Sequence, residues 1–252
     1  MRTATTKNPE FARPFAAGPA GRAARSLTAL WRTSIFFPVA IGAAALGCAQ
    51  GRLLPAASAH VIPDVPSAAA DEDSGIRVSA EANDWSAAPE DLPERLTPIK
   101  VRIINRSGGP VEILYQQFAL VGGRGRRYQP LPPMPVDDPN APAVHPVYSA
   151  SNFFVAPRLH GVYPSLDPWS APLQRDDDFY ARQYRRWEEG LPSRPMRRMA
   201  LPEGVLADRG EISGFLYFEN ATRKEKRVIF HADMDQPQGD QIAEIEIPFV
   251  VR

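Results

Sequence analysis

The sequence predicts that most of this chain folds as an all-β, antiparallel structure, and three observations support that prediction. Residues 99–103 and 244–247 alternate apolar and charged side chains, which is the period of a strand with one buried face. Clusters of turn-forming residues, such as 105–110, separate such runs at short intervals. The chain also contains 27 prolines, which interrupt helices and argue against long ones.

The first 47 residues predict an export signal. Their apolar segment, Ile35–Gly47, has thirteen residues, whereas a helix that crosses a membrane needs about 20. Six basic residues and one acidic residue precede Cys48, and positive charge ahead of a short apolar segment is typical of a secretory signal peptide. We therefore expect residues 1–47 to direct the rest of the chain across a membrane.

The apolar segment ends in Ala45-Leu46-Gly47-Cys48, which resembles the lipobox of exported bacterial lipoproteins. The resemblance implies that the peptide is cleaved before Cys48 and that the Cys48 thiol carries lipid. Acyl chains would then hold the protein on a bilayer without a spanning helix. By the same resemblance, Ala49 in the second mature position implies the outer membrane. The alternative is an ordinary cleavage site near Ala49, with Cys48 an unmodified thiol.

Charge and cysteine content bound the partners of the mature chain. Of the 29 basic and 29 acidic residues, 23 and 28 follow Cys48, a net charge of −5. A mildly acidic chain is a poor candidate for nucleic acid, which favours a basic face. Cys48 is the only cysteine, so no internal disulfide forms.

Two regions follow the signal. Residues 48–74 are small, proline-interrupted and without period, which predicts a disordered tether between membrane and domain. Residues 75–252 predict one β domain with seven to nine strands and a long insertion at 130–208. The predicted strands lie at 76–82, 99–104, 111–121 with a bulge near Gln116-Gln117, 127–128, 152–155, 211–219, 227–233 and 242–251.

Two of these stretches resemble a known type of domain. Residues 99–131, IKVRIINRSGGPVEILYQQFALVGGRGRRYQPL, and residues 214–218, GFLYF, are similar to immunoglobulin-like modules of exported bacterial lipoproteins. The resemblance implies an immunoglobulin-like antiparallel β-sandwich. Such modules have no single activity, so the resemblance implies a fold and not a function.

The insertion, residues 130–208, predicts loop-rich chain with one short helix at 176–189. Aspartates open this helix and Gly190 closes it. Tyr180, Tyr184 and Trp187 share one stripe, and Arg182 and Arg186 accompany them. Aromatic and arginine side chains dominate partner surfaces, which makes these five residues candidates for partner binding. The alternative is that the rings pack over an open face or edge of the sheet.

The other polar motifs predict no catalytic residue, metal or cofactor. The glycines of residues 122–127 suit a hairpin turn better than a phosphate loop, because no helix follows them. Residues 176–178 and 233–240 lack the alternating oxygen ligands of a calcium loop. His145, His160 and His231 are too far apart for a zinc pattern, and no serine lies in a nucleophile-elbow motif.

The sequence therefore favours a non-enzymatic, lipid-anchored protein of the cell envelope, in the outer membrane or periplasm. Its expected partners are the membrane, through Cys48, and an envelope protein or glycan, through the insertion. The alternative is an envelope enzyme, or an enzyme accessory, with a cleft between sandwich and insertion that acts on glycan. That alternative requires paired carboxylates in the cleft.

Overall fold

The structure, a computed structural model, describes residues 51–134, 142–147 and 150–252. Its strands are β1 (Leu53–Pro55), β2 (His60–Ile62), β3 (Val65–Asp73), β4 (Ile76–Ala82), β5 (Leu96–Asn105), β6 (Val111–Ile113), β7 (Phe118–Gly122), β8 (Arg127–Tyr128), β9 (Ala150–Val155), β10 (Gly204–Glu219), β11 (Arg227–Asp235) and β12 (Gln241–Val251). Its helices are α1 (Leu92–Arg95), α2 (Asp177–Tyr184) and α3 (Arg194–Met199), with 3₁₀ turns at Tyr115–Gln117 and Pro157–Leu159. No helix among these residues is long and apolar enough to span a bilayer.

The prediction of an all-β, antiparallel fold is confirmed. Twelve strands form one continuous sheet, in the order β1-β12-β11-β6-β10-β5-β4-β3-β2, with β7, β8 and β9 attached beside this path. All twelve strands are joined by pairing, so the immunoglobulin-like sandwich with two separate layers stays a prediction. The 3₁₀ turn at Tyr115–Gln117 separates β6 from β7, at the position where the sequence predicts a bulge.

The two sides of the sheet meet where β3 approaches β12. The Asp73 carboxylate accepts a hydrogen bond from Glu244 N at 3.1 Å, and the Asp71 carboxylate accepts one from Glu246 N at 3.2 Å. These side chains satisfy backbone amides that β1 does not reach, because β1 pairs only with residues 249–251 of β12.

Apolar residues fill two neighbouring clusters. The larger one lies between the faces of the sheet and includes Ile99, Val101 and Phe230. The smaller one lies under α3 and is built around Trp85, whose ring contacts Phe215 and Tyr217 edge-on at 5.3 and 5.8 Å between ring centres. The described residues belong to one compact unit, and every described element lies within 51–252. This part of the chain therefore carries its own core.

The prediction of a disordered tether at 48–74 is wrong for residues 51–73, which form β1, β2 and β3. Leu53 is buried against β12, and Ala68, Ala69 and Ala70 are buried between β2 and β4. Alanines contribute little hydrophobicity to a sequence pattern, but their small side chains fit where strands pack closely. Cys48 and the signal peptide predicted at 1–47 lie outside the described residues and stay predictions.

The insertion differs from its predicted form in two ways. It has two α-helices, since a second one, α3, begins after Ser193, whose hydroxyl accepts from Met196 N at 3.4 Å. Six residues are too few to show a helical period. The insertion also ends earlier than residue 208, because β10 begins at Gly204. The strand predicted at 152–155 is present as β9, which pairs with β10.

Candidate functional site

The segment after α3 crosses the face of β10 on its way back into the sheet. Leu201 N donates to Phe215 O at 3.0 Å, and Ala200 forms a bridge with Phe215. This close crossing requires Gly214, because a Cβ there would lie 2.5 Å from Leu201 N. The crossing brings Glu203 into the interior, with 3% of its surface exposed.

Glu203 is the centre of a buried hydrogen-bonded group that joins the insertion to the sheet. Its Oε1 accepts a 2.9 Å hydrogen bond from Tyr115 N and a short one from the Tyr180 hydroxyl. Its Oε2 accepts from Arg158, with which it forms an ion pair. Tyr115 lies between β6 and β7, Arg158 follows β9 and Tyr180 lies on α2, so one carboxylate ties three parts of the chain together. These four residues are called the Glu203 centre below.

The charges of the Glu203 centre are compensated within it. Burial, and then the charge of Glu203, raise the pKa of Tyr180 well above its ordinary value, so its phenol stays a neutral donor. The guanidinium groups of Arg158 and Arg175 lie 5.1 and 5.3 Å from the centre of the Tyr180 ring, within cation–π range. A buried carboxylate with both oxygens bonded and an arginine beside it serves to hold the structure together.

An open depression of about 290 Å³ lies beside the Glu203 centre, at the join between sheet and insertion. Leu114 and Leu173 form its apolar wall, and Arg158 and Arg175 form its polar wall. Arg175 also pairs with Asp177, at the start of α2. The depression is at the lower limit of the volume of small-molecule pockets, and the exposed Asp177 carboxylate lines it together with the two arginines.

Glu112, on β6, is a second buried acid near this join, with 2% of its surface exposed. It lies opposite Asp235 in the β6–β11 register, and Gln174 N lies 3.5 Å from its Oε2. Burial, with a smaller contribution from the nearby carboxylates of Asp235 and Glu203, raises the pKa of Glu112 to about 7. This carboxyl group therefore changes its charge near neutral pH.

The three aromatic candidates for partner binding do not form a surface stripe. Tyr180 is completely buried, which removes it from any partner surface in this conformation. Helix α2 ends at Tyr184, so Trp187 lies beyond it. The Trp187 indole donates to Pro132 O at 2.8 Å and its ring lies 6.2 Å from Tyr217. Tyr180 and Trp187 thus pack the insertion onto the sheet, which was the alternative interpretation of these rings, and Tyr184 is half-buried.

The arginine candidates do face water. Arg182 is 57% exposed on its side chain and lies 3.7 Å from Asp176. Arg186 pairs with Glu219 at 3.2 Å, and Arg185 between them is exposed. We call Arg182, Arg185 and Arg186 the α2 surface.

A third polar group lies on the outer face of β11 and β12. His231 Nε2 is 2.9 Å from Glu244 Oε1 and 3.8 Å from Asp233 Oδ1, and the three groups are close enough together to share a metal ion. However, His231 Nδ1 is buried with no hydrogen-bond partner. A metal on Nε2 would move the proton to Nδ1, where no acceptor faces it. The geometry therefore fits a hydrogen bond from Nε2 to Glu244 better than a metal ligand.

The two buried acids were not predicted, although both leave a signal in the sequence. Glu112 lies in Val111-Glu112-Ile113-Leu114 and Glu203 lies in Leu201-Pro202-Glu203-Gly204-Val205. A single acid within a run of apolar or small residues marks a carboxylate that the fold buries with partners. The identity of those partners, which are 23 to 88 residues away for Glu203, has no local signal.

Comparison of the chain with protein families, curated proteins and solved structures finds no match.

Proposed function

We propose that the mature chain is a non-enzymatic protein of the bacterial cell envelope, held on the outer membrane by lipid at Cys48, which binds another envelope component through its insertion. The proposal depends on the different positions of two groups of side chains in the insertion. Its buried aromatic and charged groups fasten it to the sheet, whereas the arginines of the α2 surface face water.

The contacts between insertion and sheet support a binding role, because they fix the position of the surface that a partner would contact. Glu203 joins α2 and the segment after β9 to the sheet. Trp187 and Gln183 add bonds to Pro132 and Gln129 at 2.8 and 2.9 Å. A surface that is already ordered loses little conformational entropy when a partner binds.

The α2 surface supports an acidic or polar partner, such as an envelope protein or a glycan with carboxylate or phosphate groups. Arginine binds such groups with a planar, multiply donating guanidinium. The pairs Arg182–Asp176 and Arg186–Glu219 are solvent-exposed, so a partner can replace either carboxylate at little cost.

Glu112 is the observation that favours the second candidate, an enzyme or enzyme accessory acting on glycan. Two buried carboxylates near a depression, one with a pKa of about 7, have the character of a general acid and its partner. The oxygens of Glu203 are already bonded, and Glu112 does not line the depression. For this reason we favour binding. Hydrolysis of envelope glycan that disappears in Glu112→Gln would reverse that preference.

Metabolic labelling with a palmitate analogue tests the lipid. We expect label in the wild type and none in Cys48→Ala. Equal labelling of both proteins would remove Cys48 as the lipidated residue.

Crosslinking in intact cells tests the partner. We expect a crosslinked species that is lost in Arg182→Ala/Arg185→Ala and kept in the matched control Arg106→Ala/Arg209→Ala, which removes two exposed arginines elsewhere on the sheet. An adduct that both variants keep would exclude the α2 surface as the contact.

A further inference from the structure

The chain enters its folded body at one end of the sheet. Arg52 N donates to Arg252 O at 2.7 Å, and Arg252 N donates to Arg52 O at 2.9 Å. Val251 N donates to Lys226 O at 2.9 Å, so the turn between β10 and β11 lies at the same end. The hairpin between β7 and β8 also lies there, since β7 pairs with the start of β11 through Gly122 and Val228.

These three segments place nine exposed cations together. They come from the β1 and β12 termini, the β7–β8 hairpin and the β10–β11 turn, and we call them the basic end: Arg52, Arg124, Arg126, Arg127, Arg223, Lys224, Lys226, Arg227 and Arg252. Among the described residues, none of the nine forms an ion pair within 4 Å of a carboxylate, although the charge of Arg127 reaches the Asp233 carboxylate on β11. Arg126 lies over the Tyr128 ring at 5.0 Å, which leaves its charge in place.

Three of the six carboxylates near the basic end have a hydrogen-bond or ion-pair partner outside the nine cations. Glu225 accepts from the Tyr128 hydroxyl at 3.0 Å, and Glu219 pairs with Arg186. The loop between β4 and β5 reaches the same end, where Asp84 pairs with Lys100 at 2.9 Å and three further acids are exposed: Glu90, Asp91 and Glu94. The nine cations still outnumber all these carboxylates.

The opposite end of the sheet has the opposite charge. The β3–β4 turn, the β11–β12 turn and the strands beside them carry a set of acids: Asp71, Glu72, Asp73, Asp233, Asp235, Asp240 and Glu244. The mature chain is acidic overall, yet nine of its 23 basic residues lie at the basic end. Charge that is segregated in this way orients a protein in an external electric field and steers it toward a surface of opposite sign.

The chain enters the basic end a few residues after Cys48, the predicted site of the lipid. Gly51 is three positions after Cys48, and three extended residues span at most about 11 Å. If the proposed function is correct, the chain around Arg52, at the basic end, therefore lies within about one Debye length of the lipid headgroups.

We propose that the basic end is a docking surface for an anionic phospholipid membrane. This inference rests on the proposed function for its orientation and adds a second membrane signal to the lipid. Cations at an anionic surface each strengthen binding by roughly fivefold, and a polybasic patch beside an acyl chain is a stable two-part attachment. The exposed acids of the opposite end would then point away from the bilayer.

Vesicle binding by residues 49–252, which carry the complete core, tests the proposal without any acyl chain. The probe is a vesicle of phosphatidylcholine with about 30% phosphatidylglycerol, compared with phosphatidylcholine alone, at about 50 and 500 mM salt. We expect binding only to the anionic vesicle and only at low salt. Arg223→Glu/Lys224→Glu/Lys226→Glu should weaken that binding on the order of 100-fold or more.

The matched control is Arg77→Glu/Arg106→Glu/Arg209→Glu, which makes the same charge change at the opposite end. It should keep most of the binding, and both variants should keep the circular dichroism spectrum of the wild type. Equal weakening by both variants would show that net charge alone acts, which overturns the proposal. Binding to heparin in the absence of vesicle binding would also overturn it, in favour of a soluble anionic polymer.

The two proposals can fail separately. Loss of palmitate labelling in Cys48→Ala, together with no vesicle binding by residues 49–252, would support lipid at Cys48 and exclude the basic end as a docking surface. Vesicle binding that depends on the basic end, in a protein that takes no label at Cys48, would support the docking surface and exclude lipid at Cys48.

Discussion

The Glu203 centre and the basic end use arginine in opposite ways. In the Glu203 centre, Arg158 is largely buried and pairs with a buried carboxylate, which also bonds two tyrosines. At the basic end, nine cations face water and no carboxylate among the described residues pairs with them. The difference teaches that arginine content alone does not identify a binding surface. The partners that the fold gives each arginine decide whether it serves stability or recognition.

The largest expected effect tests the buried side of this comparison. Arg158→Ala leaves Glu203 charged and buried without its counterion, so we expect the free energy of unfolding to fall by about 3–5 kcal/mol. Urea denaturation measures the loss. Arg186→Ala removes an ion pair that is solvent-exposed and should cost less than about 1 kcal/mol. Similar losses in the two variants would contradict a structural role for the Glu203 centre.

A smaller loss is expected where the insertion crosses the sheet. Gly214→Ala adds a Cβ that would lie 2.5 Å from Leu201 N, and the backbone must shift to accommodate it. We expect the free energy of unfolding to fall by about 1–3 kcal/mol. Gly109→Ala is the control, since a Cβ there meets open space. Thermal melting that shows no difference between the variants would place the crossing segment further from β10.

The pH dependence of stability tests the second buried acid. The folded state raises the pKa of Glu112 from 4.5 to about 7, so the folded protein binds this proton more tightly than the unfolded chain does. The free energy of unfolding should therefore fall as the pH rises from about 4.5 to about 7, and then level off. In Glu112→Gln, the fall in the free energy of unfolding across this pH range should be smaller by on the order of 1–3 kcal/mol. An unchanged slope in urea titrations across that range would show that Glu112 is solvated.

The smallest expected effect concerns the exposed join of β3 and β12. Asp73→Ala removes the acceptor of Glu244 N, an amide near solvent that water can also satisfy. We expect a loss of about 0.5–1.5 kcal/mol and faster amide exchange at Glu244, whereas Ile247 in the middle of β12 keeps its rate. Exchange that stays slow at Glu244 would mean that other contacts hold β3 against β12.

Strand alternation predicted the sheet well because its pattern is local. Residues 99–104 lie within β5, where buried and solvent-facing positions alternate as the sequence suggests. The 3₁₀ turn at Tyr115–Gln117 also has a local cause, the change of parity between Tyr115 and Phe118. In both cases the relevant information is contained in fewer than ten residues.

The features that the sequence could not predict depend on contacts between distant residues. Strand β3 is mostly small or acidic residues and becomes a strand because β2 and β4 flank it. Tyr180 could be predicted as an aromatic side chain on a helix, but not as the donor to Glu203, which is 23 residues later. The basic end is assembled from three segments that only strand pairing brings together.

The folded body begins only a few residues after Cys48, and this sets how far the protein can move from a bilayer. A linker of some 25 disordered residues would allow the folded domain to move roughly 25–30 Å from the bilayer and to rotate freely. With β1 starting at Leu53, a protein attached to lipid at Cys48 would diffuse in the plane of the membrane, and its basic end would face the bilayer. Any partner would have to come to the leaflet itself, and it would always meet the same side of the molecule.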